Sequence, residues 1–178
     1  MRIIKLNEQS RANILADLLK RDPNNYSAYE DTVQAIVDDV RARGDEALFE
    51  YTKKFDGAEL SADNIRVTQA EIQEALSQVD PNLLAVMKKS MKNIREYHEK
   101  QKQYSWFDSK PNGTILGQKV TALSSVGVYV PGGKAAYPSS VLMNIIPAEV
   151  AGVEKIVMVT PPGKDGKVNP VTLIAAHL

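Results

Sequence analysis

The sequence predicts an α/β protein, in which an N-terminal helical arm and an incomplete, helix-rich α/β domain lead into the first β–α–β–α of a parallel-sheet domain. Three observations support this prediction. Charged residues and apolar residues at three- and four-residue steps dominate the first 110 positions, which is typical of amphipathic helices. Residues 111–178 hold only five Lys/Arg and three Asp/Glu, which indicates more buried elements. The order from Val126 onward is strand, helix, strand, helix, as in doubly wound sheets with right-handed crossovers.

The composition limits the possible functions. The chain has 178 residues, no cysteine, 22 Lys plus Arg and 22 Asp plus Glu. The balanced charge gives no footprint for nucleic acid or an anionic membrane, and the lack of cysteine excludes disulfides, thiolate catalysis and cysteine-based zinc sites. The sequence shows no apolar core of a signal peptide and no run of about 18 apolar residues that would span a membrane. We expect a cytoplasmic protein that binds neither nucleic acid nor membranes.

Helical periodicity and turn signals define the first three elements. Ser10 is predicted to cap the first helix, Gly44 suits the C′ position of the second, and Asp45 is predicted to cap the third. The three helices are expected over residues 10–21, 29–43 and 46–55.

Two start signals define the next helices. Ile65–Thr68 is predicted to be a short strand or an extended segment. Thr68 and Glu71 form a capping box, and Asp80 followed by Pro81 places a cap before a proline in the first turn. Helices are therefore expected from residue 69 to about 78 and from residue 81 to about 103.

The turn signal Pro111–Asn–Gly113 coincides with the fall in charge density, and we place a domain boundary there. The predicted domains are an arm at 1–22, a helix-rich part of a first domain at 23–112, and the first half of a parallel-sheet domain at 113–178. Residues 114–120 are predicted to form a strand. Trp106 and Phe107 are expected to anchor the preceding helix to a neighbouring domain.

The last part of the chain supplies the β–α–β–α order. The β-branched runs Val126–Val130 and Lys155–Thr160 are expected to be buried strands. Ser139 or Ser140 is predicted to cap the helix between them, and Asn169–Pro170 to start the next helix. Because two strands do not make a stable parallel sheet, we expect these elements to be the front half of a Rossmann-like sheet.

The segment VGVYVPGGKAAYPSS is the strongest candidate for a site, because it follows a strand at the edge where open α/β sheets bind ligands. Tyr129 ends the strand and could stack on or hydrogen-bond a cofactor. Gly132 and Gly133 would let a ligand approach the backbone, and the helix that begins at Ser139 or Ser140 offers free N–H groups to a phosphate. The glycines are also typical of a structural turn with positive φ, and the spacing is not G-x-G-x-x-G. The residues alone leave both interpretations open.

No other residue pattern indicates chemistry. His98 and His177 stand alone, without a metal-ligand spacing, and we expect both to be structural. Lys134 is expected to face solvent, and Ser139 and Ser140 have no histidine base nearby in the sequence. The sequence therefore predicts no catalytic and no metal-binding residue within this chain.

The run VGVYVPGGKAAYPSSVLMNIIPAEVAGVEKIVMVTPP closely resembles the hallmark segment of the histidinol dehydrogenases. The earlier runs VRARGDEAL, YTKKFDG and QKVTAL also match, in order, along nearly the whole chain. One departure is Ala122, where the family often has proline before the VGVYV strand.

The resemblance implies a four-electron oxidation of L-histidinol to L-histidine through L-histidinal, which uses two NAD⁺ in turn and is the last step of histidine biosynthesis. It also implies a zinc ion (Zn²⁺) that orients the substrate, a Glu–His pair for acid–base work, and a homodimer whose active sites draw residues from both subunits.

The resemblance assigns an NAD-binding role to this chain and expects the catalytic groups elsewhere. Tyr129 matches the tyrosine of the family's G-x-Y-V-P-G-G motif, which contacts NAD. Five further residues are expected to line the same cleft: Pro131, Gly132, Gly133, Ser139 and Ser140. Family chains are much longer than 178 residues, and we expect the zinc ligands and the Glu–His pair to lie beyond Leu178. The chain alone is therefore expected to be inactive.

Two other interpretations remain. The chain could be a non-catalytic module that binds a nucleotide or self-associates, because a sheet of two strands leaves open edges. It could also belong to another α/β dehydrogenase with a similar strand–Gly–Gly–helix turn, although the segments VRARGD and YPSS do not favour this.

Overall fold

The computed structural model describes residues 5, 7–12, 26–132 and 135–178. Its helices are α1 (Ser27–Arg43), α2 (Asp45–Asp56), α3 (Gln69–Gln78), α4 (Pro81–Glu99), α5 (Pro138–Val150) and α6 (Pro170–His177). Its strands are β1 (Trp106–Ser109), β2 (Ile115–Gln118), β3 (Ser125–Tyr129) and β4 (Lys155–Val159). The chain divides into two compact units, Met1–Leu48 and Phe49–Leu178. The domain boundaries expected after residues 22 and 112 remain a prediction.

The helical turn over residues 8–12 is capped by Asn7 and not by Ser10. Residues 8–12 are helical, the Oδ1 of Asn7 accepts a hydrogen bond from the N–H of Ser10 at 2.7 Å, and the Oγ of Ser10 accepts one from the N–H of Asn7 at 2.9 Å. Ser10 therefore lies in the first turn as the reciprocal partner of the cap, and its predicted capping role was wrong. The predicted continuation of this helix to residue 21 lies outside the described residues.

The helix signals around Gly44, Thr68 and Asp80 are confirmed. Gly44 has φ 63° and donates its N–H to the carbonyl of Val40 at 2.8 Å, which ends α1. The hydroxyl of Thr68 accepts from the N–H of Glu71, and the Glu71 carboxylate accepts from the N–H of Thr68 at 2.7 Å. Asp80 accepts from the N–H of Asn82 at 2.8 Å and begins α4, which ends at Glu99 and not near residue 103.

The segment before Thr68 is not a strand. The N–H of Ser61 donates to the Oδ1 of Asn64 at 2.6 Å, and the N–H of Ile65 donates to the carbonyl of Ser61 at 3.0 Å. These hydrogen bonds close a turn over the first half of the predicted strand. Only the end of the segment is extended, with Thr68 at φ −94° and ψ 161°.

An antiparallel hairpin of β1 and β2 follows α4. Trp106 pairs with Gln118 and Ser109 pairs with Ile115 across the hairpin, and the turn places Gly113 at φ 84°. The predicted strand near residues 114–120 is confirmed. The partner of this strand is β1, which contains Trp106 and Phe107. All eight residues of the two hairpin strands are exposed.

A parallel sheet of β3 and β4 forms the centre of the second unit, which confirms the predicted α/β class. Val128 pairs with Met158, and the pairing continues past β3 because the N–H of Val130 donates to the carbonyl of Val159 at 2.9 Å. One face packs into a core with α3, α4, α5 and α6. The other face is exposed, with Val157 at 47% and Val159 at 56%, so the prediction of buried strands is correct for one face and wrong for the other. Parallel sheets are normally covered on both faces.

The two helices that follow these strands begin differently. α5 begins at Pro138 after Tyr137, and no side chain accepts a hydrogen bond at its cap, so Ser139 and Ser140 lie in the first turn and the predicted serine cap was wrong. Proline suits this position because its fixed φ is helical and it has no N–H to satisfy. α6 begins as predicted, with Asn169 accepting from the N–H of Val171 at 3.0 Å. Within the described ranges, no helix is long and apolar enough to cross a membrane.

Candidate functional site at the carboxyl edge of the sheet

A cavity of about 550 Å³ opens at the carboxyl ends of β3 and β4. The loop after β3 forms one wall of the cavity, and the loop after β4 forms the second wall. The polar side of α3 and the start of α6 together form the third wall. The lining residues that matter for its chemistry are Glu71, Glu74, Gln78, Gly132, Ala135, Ala136, Thr160, Pro161, Asp165, Lys167 and Asn169. Its volume lies within the range of small-molecule sites, and its position is the one at which open α/β sheets bind ligands.

Gly132 brings the two strand-end loops together. A Cβ atom added at Gly132 would lie 3.0 Å from the carbonyl oxygen of Pro161 and 3.3 Å from the Oγ1 of Thr160. Gly132 does not have positive φ, unlike the glycines at 44 and 113. The glycine therefore allows close approach of the backbone and is not required for a left-handed turn, which removes the positive-φ explanation at this position.

The structure brings only one of the described predicted site residues to the cavity, and that residue is Gly132. Tyr129 is 63% exposed on the uncovered face of β3, Pro131 and Ser139 are exposed, and Ser140 is half-buried, with its carbonyl accepting a hydrogen bond from Asn144 at 2.7 Å. Gly133, like Lys134, lies outside the described residues. The cofactor-binding role of these six residues remains a prediction.

The described cavity wall carries more negative than positive charge. The Nζ of Lys167 lies 2.8 Å from the Oε2 of Glu74, and the hydrogen bond between them raises the pKa of Lys167 above its ordinary value. Hydrogen bonds from the backbone N–H and then the hydroxyl of Thr68 hold the pKa of the Glu71 carboxyl below its ordinary value. Asp165 adds a third carboxylate, and its Oδ1 accepts from the N–H of Lys167 at 3.1 Å.

Sequence reasoning missed this acidic wall. Glu74 and Lys167 are separated by 93 positions in the chain, and no local pattern connects them. The signal that the sequence does contain is the capping box at Thr68, which fixes the orientation of α3 locally but says nothing about what its polar side faces.

The described residues do not form a zinc site. They contain no group of three or more His, Cys, Asp or Glu side chains that could hold a metal ion. His98 is half-buried and packs edge-on against the ring of Tyr97, with centroids 5.3 Å apart, and His177 is exposed. The structural role expected for both histidines remains a prediction.

Comparison with known proteins decides the family. The family model for histidinol dehydrogenase matches residues 19–178. The chain belongs to the histidinol dehydrogenase family. Histidinol dehydrogenases are oxidoreductases of histidine biosynthesis, and the resemblance inferred from VGVYVPGGKAAYPSS is thereby confirmed.

Relatives in this family share much of the sequence. The chain is 60% identical over 145 residues to histidinol dehydrogenase of Bacillus subtilis, covering 82% of this chain and 34% of that protein. It is 57% identical over 145 residues to the protein of Heliobacterium mobile, with the same coverage. It is 47% identical over all 178 residues to the protein of Clostridium acetobutylicum, covering 41% of that relative. The chain thus spans 34–41% of the length of these relatives.

The fold agrees with a solved structure of the family. The crystal structure of histidinol dehydrogenase from Elizabethkingia anophelis matches with a TM-score of 0.77 and 34% identity, over 84% of this chain and 34% of that one. This likeness confirms the predicted fold class.

Proposed function

We propose that this chain is the amino-terminal portion of a histidinol dehydrogenase and that it supplies part of the NAD⁺ cleft. The observation that carries the proposal is the family match over residues 19–178, together with a cavity at the carboxyl edge of the parallel sheet. Gly132 keeps a side chain out of the junction between the two strand-end loops, which leaves room for NAD⁺ at this edge. The ring of Tyr129 is exposed outside the cavity, on the uncovered face of β3, and is proposed to stack on a base there.

The complete reaction moves two hydrides to two NAD⁺ molecules, and one water supplies the second carboxylate oxygen of L-histidine. The bound zinc ion of the family would orient the substrate. No zinc site and no acid–base pair is assigned to this chain. Its own residues bind and orient the nucleotide: Tyr129 offers a ring and a hydroxyl, and the first turn of α5 offers the backbone N–H of Ser139 to phosphate, whereas the N–H of Ser140 donates to the carbonyl of Tyr137 at 3.1 Å. We further propose a cytoplasmic homodimer that binds neither nucleic acid nor membranes.

A chimera tests this function in cells. The matching segment of Bacillus subtilis histidinol dehydrogenase is replaced by this chain and expressed in a strain that lacks the enzyme. We expect growth without histidine, because the relatives are 60% identical over this region. A stable, soluble chimera that does not support growth would contradict the proposal.

The role of Tyr129 is tested in the same chimera. We expect Tyr129→Ala to raise the KM for NAD⁺ about 10-fold, since aromatic stacking on a base contributes about 1–3 kcal/mol, and to leave the KM for L-histidinol nearly unchanged. The matched control is Tyr104→Ala, which removes another exposed tyrosine, at 73%, outside the NAD motif. Equal KM values for NAD⁺ in the two variants would show that Tyr129 does not contact NAD⁺.

The isolated chain is proposed to be inactive, because the acid–base pair and zinc ligands implied for the family match no positions here. Incubation with L-histidinol, NAD⁺ and Zn²⁺ should produce no NADH above background. Sustained turnover would show that the essential groups lie within these 178 residues.

A second candidate function follows from the uncovered face of the sheet, where Tyr129, Val157 and Val159 are exposed. This face would let the isolated chain act as a self-associating module without catalysis. Sedimentation velocity should then show association that weakens in Val157→Asp. A monomer at all concentrations would eliminate this candidate.

A further inference from the structure

The loop between β4 and α6 forms one wall of the cavity and is shaped by its own hydrogen bonds. The N–H of Gly163 donates to the carbonyl of Lys167 at 2.8 Å, and the N–H of Gly166 donates to the carbonyl of Gly163 at 2.9 Å. Because these bonds connect residues within the loop, they fix its shape and not its position against the rest of the unit.

The side chain of Lys167 attaches this loop to α3. Its Nζ donates a hydrogen bond to the Oε2 of Glu74 at 2.8 Å, across 93 positions of the chain. Glu74 lies one helical turn after Glu71, whose carboxylate closes the capping box with Thr68. The box fixes the start of α3, and the three-residue spacing places both glutamates on the side of the helix that faces the loop.

The three carboxylates of the cavity wall are arranged around this ammonium. The pKa of Lys167 is raised first by the hydrogen bond and the charge of Glu74, and further by the charges of Asp165 and Glu71, against the desolvation that lowers it. The Oδ1 of Asp165 also accepts from the N–H of Lys167 at 3.1 Å. The acidic residues thus have a structural role at Lys167 that requires no ligand.

The position of the β4–α6 loop matters because the loop after β3 lies close to it. A Cβ atom at Gly132 would lie 3.0 Å from the carbonyl oxygen of Pro161 and 3.4 Å from its Cδ. Pro161 stands near the start of the loop that Lys167 attaches near its end. A displacement of this loop would therefore move the immediate neighbour of Gly132.

We propose that Lys167 is a positioning residue, whose ion pair with Glu74 holds the β4–α6 loop against α3 and so keeps the two strand-end loops arranged for the nucleotide. The inference rests on the proposed NAD⁺ function and adds a residue that acts through the loop, without contacting NAD⁺. Both side chains are half exposed, so the expected effect is modest.

Kinetics of the chimera with Bacillus subtilis histidinol dehydrogenase test the effect on the nucleotide. We expect Lys167→Met to raise the KM for NAD⁺ about 2- to 5-fold, the range for loss of an exposed ion pair, and to change kcat and the KM for L-histidinol by less than about 2-fold. Glu74→Gln should have the same effect, and Glu74→Gln/Lys167→Met should be no worse than either single variant, because all three lose one interaction. Lys167→Arg should remain close to the native chain.

Exchange of the two charges separates the positioning role from a direct contact with phosphate. The variant Glu74→Lys/Lys167→Glu keeps an ion pair between α3 and the loop but removes the cation from position 167. We expect its KM for NAD⁺ to lie below that of Lys167→Met. A KM equal to or above that of Lys167→Met would overturn the inference, because the cation itself would then be what the nucleotide requires.

Hydrogen–deuterium exchange of the 178-residue chain reports on the loop without NAD⁺. The amides of residues 163–167 should exchange about 2- to 5-fold faster in Lys167→Met, while those of α4 stay unchanged. The matched control is Lys53→Met, which removes the ion pair of Lys53 with Glu59 outside the cavity lining. It should alter neither the exchange of the loop nor the KM for NAD⁺.

Three further outcomes would overturn the inference. One is unchanged exchange of the loop in Lys167→Met, another is faster exchange with an unchanged KM for NAD⁺, and the third is an equal response to Lys53→Met. An inactive chimera would instead remove the proposed enzyme function. Faster exchange of the loop in Lys167→Met would then still support the role of the ion pair in holding the loop.

Discussion

The parallel sheet of β3 and β4 and the hairpin of β1 and β2 both contain large apolar side chains, but they differ in how well those side chains are covered. In the parallel sheet, Val128 of β3 is 8% exposed, and Val130, the first residue after β3, is fully buried. In the hairpin, Trp106 is 56% exposed, Phe107 67% and Ile115 66%. Large apolar residues occur in the strands of both regions, so their presence alone does not predict which region is covered.

The difference comes from the helices that cover one region and not the other. α5 and α6 pack together on the core face of the parallel sheet, and α3 and α4 pack against them in turn. Among the elements that the structure describes, the hairpin strands make their main contacts with each other, and a two-stranded hairpin is marginally stable without a covering element. A strand's apolar sequence thus predicts that it can be buried, and its neighbours decide whether it is.

Truncation of an isoleucine side chain in each region should give the largest difference in the free energy of unfolding. Ile174 in α6 is fully buried in the core, and Ile115 is an exposed hairpin residue. We expect Ile174→Ala to lower the free energy of unfolding by about 2–5 kcal/mol, because it leaves a cavity, and Ile115→Ala by under about 1 kcal/mol. Urea denaturation followed by circular dichroism measures both. Similar losses would mean that the hairpin is as well covered as the core.

A methyl group added to each sheet should lower the free energy of unfolding more in the hairpin than in the parallel sheet, which is the reverse of the order expected for the isoleucine variants. In the hairpin, a Cβ at Gly117 would clash with the ring of Phe107 and the carbonyl oxygen of Trp106, whereas a Cβ at Gly127 in β3 would meet no atom within 4 Å. We expect Gly117→Ala to cost about 1–3 kcal/mol, as for overpacking, and Gly127→Ala to be nearly neutral. The fluorescence of Trp106 and urea denaturation report the change. A neutral Gly117→Ala would show that the hairpin strands adjust freely.

The capping box at the start of α3 should stabilise one of the helices that pack around the core. We expect Thr68→Ala to lower the free energy of unfolding by about 1 kcal/mol near pH 7, the usual loss for an N-cap threonine. Urea denaturation provides the measurement, and Thr114→Ala in the hairpin turn is an exposed control. A control loss as large as that of Thr68→Ala would argue against the cap.

The hydrogen bonds between Thr68 and Glu71 should also make the free energy of unfolding depend on pH. The pKa of Glu71 is lowered in the folded state by the hydrogen bonds from Thr68. Its stabilising contribution is therefore complete above the unfolded value of about 4.3 and is lost as pH falls through the folded value. The stability difference between the native chain and Thr68→Ala should narrow below about pH 4. A constant difference across this range would contradict the assignment.

The smallest expected effect is at the ion pair between Arg95 of α4 and Glu149 of α5, which joins two helices of the covering layer. Both side chains are more than two fifths exposed. A double-mutant cycle with Arg95→Gln and Glu149→Gln should give a coupling of about 0.2–1 kcal/mol that decreases in high salt. A larger, salt-independent coupling would indicate that this pair helps to define how α4 packs on α5.

Local signals were predicted well because their hydrogen bonds connect residues close in the chain. Asp80, Asn169 and the Thr68 box are confirmed for this reason. The predictions for Ser10 and Ser139 were wrong because a better cap or start residue, Asn7 or Pro138, precedes each serine. The partner strand of residues 115–118 was missed because Trp106–Ser109 follows a long helix and has no alternation that marks it as a strand.

The sequence by itself determined the family, the helix starts at Thr68, Asp80 and Asn169, and the β–α–β–α order, because these depend on local hydrogen bonding, side-chain period and motifs that can be read in a single segment. Only the tertiary structure decided which face of the sheet is covered, that a side chain at residue 132 would crowd Pro161 and Thr160, and that Glu74 and Lys167 meet across the cavity. These features arise from contacts between segments that are far apart in the chain, and packing selects them only when the core forms.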